Sequence, residues 1–328
     1  MTPILSICIP TYNRSSFLNE ALASILENME DLNTMEVIIS DNNSTDNTQD
    51  IVRYYQDELQ IRYHKNDSNL GAVNNLFKAV SLASGRYVWL FSDDEVMVNG
   101  SINYLLHFLE NNNSVDYIYY PRVLVNRDLQ NTPIGQQPNS SDEDVLFKSG
   151  IELFAYDNGA MPSIMGFFSS TIIKKSLWSG NIDGSPSFLE SEWAHLETIL
   201  KAIPSKECAI LGKAGVLCRL GNYRSFSVNS KVWFDDYIKC FQLAITLGYS
   251  RTLSMEAIGR VITHFSKSVV IDKANGLRED SIHSALDRLG MSGYKVKNYF
   301  WYYLSFFPSK ILYVLLSIYK LSKSSNKH

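Results

Sequence analysis

The first third of the chain alternates short apolar runs with segments whose apolar residues recur at helical spacing. Runs of the first kind predict buried β-strands, and segments of the second kind predict amphipathic helices. The strand-like runs lie at 4–9, 36–40, 61–64 and 86–92, and the helical segments lie near 16–28, 46–58 and 71–83. This alternation predicts βαβ units, and therefore an α/β fold with a doubly wound, mostly parallel sheet flanked by helices.

The middle of the chain is expected to complete this first domain. A strand-like run at 164–174, a helix near 192–203 and a strand pair near 208–218 follow one another. Residues 126–144 are polar and lack apolar periodicity, which predicts a long surface loop. Helical patterns then follow near 233–248, 254–271 and 278–289. We therefore predict an α/β domain at 1–225 and a helical region at 226–328.

The last part of the chain has an unusual composition. Residues 299–321 are almost all aromatic or aliphatic, interrupted by Pro308 and Lys310, and lysines occur at 320, 323 and 327. A spanning helix needs about 20 apolar residues with few charges, so the proline and the lysine argue against a span. An aromatic and basic helix lying at a membrane surface fits better. A helix packed on the protein's own core, or in a dimer, remains the alternative.

Composition narrows the range of functions. The chain has 328 residues, 45% of them hydrophobic, and a net charge of −4, so it gives no global reason to expect nucleic acid as a partner. The four cysteines lack CxxC spacing and lie mostly in apolar runs, which predicts buried thiols in a reducing cytoplasm. No basic n-region begins the chain, so we expect no secretory signal.

Three adjacent carboxylates follow the apolar run at 87–92: Asp93, Asp94 and Glu95. The position corresponds to the carboxyl end of a strand, where α/β sheets bind ligands. Helix capping would explain one carboxylate but not three. Such carboxylates repel one another unless a cation compensates, and hard oxygen ligands suit Mg²⁺ or Mn²⁺. The feature indicates metal-assisted handling of a phosphorylated substrate.

Three further polar turns follow strands or begin helices. Pro10 to Arg14 follows the first strand, where Tyr12 and backbone amides can seat a nucleobase and Arg14 can meet a phosphate. Asp41 follows the second strand and can accept hydrogen bonds from a pyrimidine, although an Asx turn with a helix cap also explains residues 44–46. The turn at 69–75 places Gly71 at a helix start, where a simple capped turn is equally consistent.

Together, these four turns resemble the GT-A glycosyltransferases of family 2. Their sequences are SICIPTYNR, VIISDNNSTDNT, NLGAVNN and GRYVWLFSDDE. The match covers about residues 4–98, in the order and at the spacing of that family. Within it, the chain is similar to bacterial O-antigen transferases. The resemblance implies a GT-A fold and an inverting transfer from a nucleotide-diphosphate sugar, and it favours a dideoxyhexose carried on CDP.

The resemblance also implies roles for residues. Thr11, Tyr12 and Asp41 would bind the base, and Asp93 and Asp94 the ribose and metal–diphosphate. Ser92 stands where the commoner pattern has an aspartate, so the metal ligands are spread over Asp94 first, then Asp93 and Glu95. The residues expected to contact the nucleotide sugar are Pro10, Thr11, Tyr12, Arg14, Asp41, Asn43, Asn69, Gly71, Asn74, Ser92, Asp93, Arg219 and Arg224.

The catalytic base is less clear from the sequence. Family 2 usually supplies it from a Glu-Asp pair that begins a helix, and this chain has no such pair at 188–196. Glu192 is the preferred base and Glu190 the next carboxylate, while His195 is a rival as base or metal ligand. Surface or packing roles for these three residues stay open. Arg219 and Arg224 could close over the diphosphate, or simply solvate a loop.

The expected protein is a peripheral enzyme on the cytoplasmic face of the inner membrane. It would use a divalent metal and a pyrimidine nucleotide sugar to extend a lipid-linked oligosaccharide in O-antigen or surface polysaccharide biosynthesis. One alternative is a sugar nucleotidyltransferase. That class has a Gly-rich basic loop after the first strand, where this chain has Pro-Thr-Tyr-Asn. Another alternative is an inactive module that binds nucleotide sugars, because the chain lacks the Glu-Asp pair that usually supplies the base.

Overall fold

The structure is a computed structural model that describes residues 2–29, 34–126, 129, 143–159, 165–182, 188, 190–219, 231–291 and 299–324. The chain forms two compact units. The first consists of Met1–Asn222 with Leu247–Ser250, and the second of Tyr223–Thr246 with Arg251–His328.

The first unit is built on a mostly parallel sheet, as the sequence predicts. Among the described residues this sheet has eight strands in the order β3-β2-β1-β4-β9-β6-β10-β8. A second sheet has the order β5-β11-β7. The strands are β1 (Leu5–Thr11), β2 (Met35–Asp41), β3 (Ile61–Lys65), β4 (Tyr87–Leu90), β5 (Val96–Met97), β6 (Tyr117–Tyr119), β7 (Arg122–Val125), β8 (Val145–Phe147), β9 (Thr171–Lys174), β10 (Cys208–Ile210) and β11 (Val216–Arg219).

The central strands are buried on both faces, which explains their continuous apolar runs. Helices of the first unit separate or follow them. Their bounds are α1 (Ser15–Glu27), α2 (Thr48–Leu59), α3 (Ala72–Leu82), α4 (Ser101–Asn111), α5 (Gly150–Gly159), α6 (Lys175–Gly180) and α7 (Ala194–Ala202). Together these elements confirm the predicted α/β class with helices around a mostly parallel sheet.

One strand prediction is wrong in its pairing. The predicted strand pair near 208–218 does form two strands, but they belong to different sheets. β10 pairs with β6 and β8, whereas β11 pairs with β5 and β7. The turn at 211–215 therefore connects the sheets, and it does not close a hairpin. The predicted surface loop at 126–144 lies almost wholly outside the described residues.

The second unit is helical. It contains a π-helical turn (Lys231–Asp236), followed by α8 (Tyr237–Thr246), α9 (Arg251–Ala274), α10 (Ile282–Arg288), α11 (Tyr299–Leu304) and α12 (Ser309–Ser324). Pro308 lies between the last two helices and so divides the apolar tail. None of the helices in the described residues is long and apolar enough to cross a membrane.

The tail is partly packed and partly exposed. Leu312 is fully buried, and the Lys273 ammonium donates to the Ser305 carbonyl at 2.8 Å. The outer surface of α11, α12 and their connection nevertheless carries exposed aromatic and aliphatic side chains, namely Phe300, Tyr303, Phe306, Phe307, Ile311, Tyr313, Val314 and Leu315. The four cysteines are buried and unbridged, which confirms the prediction of buried thiols.

Candidate active site

The carboxyl ends of β1, β2 and β4 bring the predicted turns to one edge of the sheet. Thr11 at the end of β1 lies opposite Asp41 at the end of β2. On its other side β1 pairs with β4, whose last residue leads through Phe91 to Ser92 and the carboxylates. Because the three strands are parallel, their polar ends meet where α/β sheets bind ligands.

Arg14 holds the two aspartates that follow β4. Its guanidinium lies 2.5 Å from Asp94 Oδ2 and 3.3 Å from Asp93 Oδ1. The Thr11 hydroxyl donates to Asp93 at 2.8 Å, and the Ser92 hydroxyl donates to Asp94 at 2.5 Å. The turn after the first strand therefore contacts the carboxylates directly and positions them through an ion pair and two hydrogen bonds.

Burial shapes the charge of these groups. Burial, together with the neighbouring Asp94, raises the pKa of Asp93 to about 7, and Arg14 opposes that rise. Burial also raises the pKa of Glu95 well above its ordinary value. Burial by itself would lower the pKa of Arg14, but Asp93 and Asp94 outweigh it and the pKa is raised. The site thus concentrates acidic groups at a place that favours a bound cation.

Asp41 is fully buried at the predicted base pocket. Its carboxylate accepts the Ser44 backbone N–H at 2.8 Å and the Tyr63 hydroxyl at 2.6 Å. Ser44 and Tyr63 therefore fix the carboxylate before any ligand arrives. The remaining lone pairs on the two oxygens are what a base could use, because an ionised carboxylate offers about four acceptor sites.

A network of asparagines supports the turn that starts α3. Asn42 donates to Asn69 at 2.7 Å, and Asn69 in turn accepts the Gly71 backbone N–H at 2.8 Å. Gly71 has φ of 84°, which side chains of L-residues rarely adopt. Asn74 donates to the Leu70 carbonyl at 3.0 Å and thereby closes the first turn of the helix.

The outer rim of the pocket is more open. Tyr12 is 43% exposed, and Asn43 adopts a positive φ of 66° while donating to the Asp67 carbonyl at 3.3 Å. Pro10 is partly buried in the last part of β1. These residues lie at the neighbouring ends of β1 and β2, next to Thr11 and Asp41 in the chain.

Arg219 is buried at the end of β11 and does not belong to a solvated loop. Its Nε donates to the Asp94 carbonyl at 2.8 Å, and its guanidinium forms an ion pair with Glu20. Phe17 lies between the two arginines, with its ring 5.0 Å from Arg14 and 5.3 Å from Arg219. Arg224, the other predicted phosphate ligand, lies outside the described residues.

The predicted base candidates form a second group near α7. His195 is buried, and its Nε2 lies 2.8 Å from the Gly166 carbonyl oxygen, so this nitrogen carries the proton. Glu192 is half-buried in the turn before the helix, and Glu190 is exposed. Burial lowers the pKa of His195 to about 4, although the backbone of Gly166 and Glu192 opposes this.

The segment between Gly166 and Ser170 connects the two groups. At one end Gly166 accepts from His195, and near the other the Ser169 hydroxyl accepts the Ser92 backbone N–H at 3.1 Å. The Trp89 indole also donates to the Ser169 carbonyl at 2.8 Å. The structure therefore links α7 to the end of β4 through a chain of short contacts.

The predicted divalent metal site can be compared with the positions of the acidic side chains. Among the described residues no group of three or more His, Cys, Asp or Glu side chains could hold an ion alone. Asp93 and Asp94 nevertheless present carboxylates within reach of one guanidinium. Mg²⁺ commonly binds one or two carboxylates together with substrate phosphates, so this pair fits a cation that arrives with a diphosphate.

Several residues at the site were missed by sequence reasoning. Asn75 donates to the carbonyls of Ser40 and Thr11 at 2.9 and 3.3 Å and so joins the first two strands to α3. Glu20 forms an ion pair with Arg219, and the Ser169 hydroxyl accepts the Ser92 backbone N–H. The density of asparagine at 66–75 was a signal for the network, but nothing local in the sequence indicated Glu20 or Ser169.

Comparisons with known proteins agree with this architecture. A sequence profile described as glycosyl transferase family 2 matches residues 6–171. Abequosyltransferase RfbV of Salmonella typhimurium is 30% identical over 264 residues, which is 77% of this chain and 78% of the relative. A GalNAc(5)-diNAcBac-PP-undecaprenol beta-1,3-glucosyltransferase of Campylobacter jejuni is 34% identical over 106 residues, 32% of this chain and 34% of the relative.

Solved structures share the fold at low sequence identity. The S. aureus TarS 1–349 structure in complex with UDP-GlcNAc has a TM-score of 0.61 and 18% identity, covering 84% of this chain and 76% of that one. The mannosyltransferase PcManGT of Pyrobaculum calidifontis, in complex with GDP-Man and Mn²⁺, has a TM-score of 0.54 and 15% identity, covering 98% and 81%. At these sequence identities, both comparisons show a shared fold.

Proposed function

Because the chain belongs to glycosyl transferase family 2, we propose that it transfers one sugar, with inversion, from a nucleotide diphosphate to a lipid-linked oligosaccharide in surface polysaccharide biosynthesis. The observation that carries the proposal is the Arg14–Asp93–Asp94 cluster at the carboxyl ends of β1 and β4. A buried acidic pair with one cation beside it suits a diphosphate that brings a divalent metal.

The nucleoside would bind beside this cluster. Asp41 would accept from the base, Thr11 and Tyr12 would line the pocket, and Asn43 would border it. The support is that Asp41 is held by Ser44 and Tyr63 and thus costs little to organise on binding. UDP and UDP-GlcNAc occur with TarS structures, so a pyrimidine nucleotide is our first candidate.

Asp94 and Asp93 are the residues that we propose to hold Mg²⁺ or Mn²⁺ together with the diphosphate. The bound cation would neutralise charge on the leaving diphosphate. Arg14 would then contact a phosphate, and Arg219 would support the backbone of Asp94. We place Glu95 outside the metal site because Cys218 and the backbone of Arg219 are among the groups that act on its carboxylate.

Glu192 is the proposed base that removes the proton from the acceptor hydroxyl. It is half-buried in the turn before α7, whereas Glu190 is exposed. His195 would be a positioning residue, because its Nε2 is committed to Gly166 and its pKa of about 4 keeps the ring neutral. A partly buried carboxylate close to the acceptor is a suitable general base.

The acceptor and the location complete the proposal. The exposed aromatic surface of α11 and α12 suits the interfacial region of an inner-membrane cytoplasmic face, where a polyprenyl-diphosphate acceptor would lie. One relative is named for an undecaprenol-linked substrate and another for abequose, so a lipid-linked acceptor and a dideoxyhexose donor are supported candidates.

Slow hydrolysis of nucleotide sugars tests the proposed activity without the acceptor. We expect wild type with Mn²⁺ to release nucleoside diphosphate from at least one UDP- or CDP-sugar, and Asp94→Asn to lose at least about tenfold in rate. Asp50→Asn is the matched control, since Asp50 is an exposed carboxylate on α2 that pairs with Arg53. Equal rates in wild type and Asp94→Asn, or pyrophosphate release from an NTP and a sugar phosphate, would overturn the proposal.

A further inference from the structure

A cluster of buried polar atoms without partners lies beside the carboxylates that follow β4. Among the described residues, Tyr119 Oη, Ser170 Oγ, Arg122 Nη1 and Glu95 Oε2 are buried and form no hydrogen bond of ordinary length and angle. Tyr119, Ser170 and Glu95 are each at most 2% exposed. Native interiors leave few such atoms unpaired, so a group of four requires an explanation.

Strand pairing brings these residues together. Tyr119 on β6 lies opposite Thr171 on β9, and the Tyr120 N–H donates to the carbonyl of the adjoining Ser170 at 2.8 Å. Arg122 on β7 lies opposite Val216 on β11. The same β11 pairs with β5, which begins directly after Glu95. The four residues therefore lie on or directly before strands of the two sheets, which the chain joins where β6 leads through Tyr120 and Pro121 into β7.

Electrostatic interactions among these groups agree with the placement by strand pairing. Burial raises the pKa of Tyr119, and both Arg122 and the nearby Ser170 hydroxyl oppose that rise. Arg122 likewise opposes the rise that burial causes in the pKa of Glu95. A guanidinium, a carboxyl group and two hydroxyls thus share one small region, and none of them is used by the donor site described above.

The composition of the cluster suits a sugar. A sugar hydroxyl both donates and accepts, so one hydroxyl can satisfy the guanidinium and the carboxylate together. The position is also suitable, because the sugar is attached to the distal phosphate and Glu95 directly follows the proposed diphosphate ligand Asp94. Arg122 is only partly buried, so one residue of the cluster reaches the surface, and the centroid of the Phe167 ring lies 4.0 Å from its guanidinium.

We propose that Arg122, Tyr119, Ser170 and Glu95 bind hydroxyl groups of the transferred sugar. The inference rests on the proposed function, because it assigns these residues to the donor of the same site. Sites built to pair a hydroxyl reject analogues that lack it, since their polar groups would then stay unpaired. Donors without hydroxyl groups on the carbons that face the cluster should therefore bind no better than the bare nucleotide.

Calorimetry with and without the sugar tests this assignment. UDP and CDP are compared with UDP-glucose, UDP-GlcNAc and CDP-glucose, each with Mn²⁺, on the full chain. In wild type we expect at least one nucleotide sugar to bind about tenfold more tightly than its own diphosphate. Arg122→Gln and Tyr119→Phe should remove that gain while leaving the affinity for the bare diphosphate within about twofold.

Tyr117→Phe is the matched control. The Tyr117 hydroxyl is also buried and unpartnered within the described residues, and Tyr117 lies on the same strand two residues before Tyr119. The groups that act on its hydroxyl are Thr171, Tyr119 and Cys208, and Arg122 is not among them. We expect Tyr117→Phe to retain the full affinity for the sugar. Thermal unfolding without ligand should show Tyr119→Phe folded and no less stable than Tyr117→Phe, because both remove an unpaired hydroxyl.

The outcomes separate this inference from the proposed function. Wild type that binds UDP or CDP without any gain from the sugar would overturn the inference alone. A gain in affinity from the sugar that survives both Arg122→Gln and Tyr119→Phe would also overturn it. A selective loss of stability in Tyr119→Phe would overturn it too, because that result would assign the cluster to a buried structural water. Failure to bind any diphosphate would contradict the proposed function and, with it, the inference.

Discussion

Arg14 is the residue that joins the nucleotide turn to the acidic turn. Its ion pairs with Asp93 and Asp94 span about eighty residues of sequence and connect the ends of β1 and β4. Side-chain exposure of 34% lets it move toward a ligand, whereas both aspartates are nearly buried. Arg14 therefore compensates the carboxylates when no other cation is present.

Replacing Arg14 should separate metal binding from diphosphate binding. In Arg14→Gln the two carboxylates lose their neighbouring positive charge, so we expect Mn²⁺ alone to bind at least about threefold more tightly. Diphosphate binding should weaken, because a phosphate ligand is lost. Electron paramagnetic resonance of free Mn²⁺ and nucleotide calorimetry report the two effects. Weaker Mn²⁺ binding in the variant would show that Arg14 does not compete with the metal.

His195 should make stability depend on pH. Its pKa falls from the ordinary 6.5 to about 4 in the folded protein, so between these values the unfolded chain binds a proton that the folded chain does not. The free energy of unfolding therefore decreases as the pH falls from 6.5 to 4, at up to about 1.4 kcal/mol per pH unit.

His195→Gln should remove this part of the pH dependence while keeping an N–H for the Gly166 carbonyl. Urea unfolding at several pH values measures it, and His107→Gln provides a control because His107 is exposed on α4. A variant whose stability still falls as steeply as that of wild type between pH 6.5 and 4 would refute the assignment to His195.

At the scale of elements, the turn before α3 sets the position of a helix beside the nucleotide pocket. Gly71 has φ of 84° and ψ of 162°, a conformation open essentially to glycine, although a side chain there would meet no atom within 4 Å. The constraint on this position is therefore the backbone conformation and not the available space.

Gly71→Ala should thus lower the free energy of unfolding by about 1–3 kcal/mol. Gly180→Ala is the control, because Gly180 also has open space around it but no positive φ, and its effect should stay within about 0.5 kcal/mol. Chemical denaturation of both variants measures the two changes in the free energy of unfolding. Equal effects at the two glycines would mean that the turn tolerates a side chain.

Elements also show what could be predicted from the sequence. Apolar runs located β1 to β4 and put Asp41 and Asp93 just after strand ends, whereas the shared site of Thr11, Asp41 and Asp93 was implied by the resemblance to family 2. Nothing in the local sequence indicated that the Ser15 N–H at the start of α1 would be satisfied by the Asp46 carboxylate, 31 residues away. The pairing of β10 and β11 was misread for the same reason: long-range partners leave no local periodicity.

At the scale of the whole molecule, the second unit carries the surface that we assign to the membrane. Leu312 packs inward, whereas Val314 is 55% exposed beside other apolar residues. Truncation before residue 299 would remove buried residues of this unit as well as the exposed surface. A single charge on the exposed surface is therefore a cleaner test than the loss of the tail.

Val314→Glu should weaken binding to vesicles of anionic lipid by at least about fivefold, because it places a negative charge at the interface. Leu277→Glu is the matched control, since Leu277 is 73% exposed in the turn after α9, outside the tail. Vesicle flotation compares both with wild type. Equal binding by Val314→Glu and Leu277→Glu would locate any membrane contact elsewhere.

The most direct test of the donor site is calorimetry with UDP, CDP, GDP and dTDP, with and without Mn²⁺, on wild type, Asp94→Asn and the control Asp50→Asn. The expected result is Mn²⁺-dependent binding of a pyrimidine nucleotide by wild type and Asp50→Asn, and a loss of affinity of at least about tenfold in Asp94→Asn. Binding that is independent of both Mn²⁺ and Asp94, or no binding of any diphosphate, would contradict it.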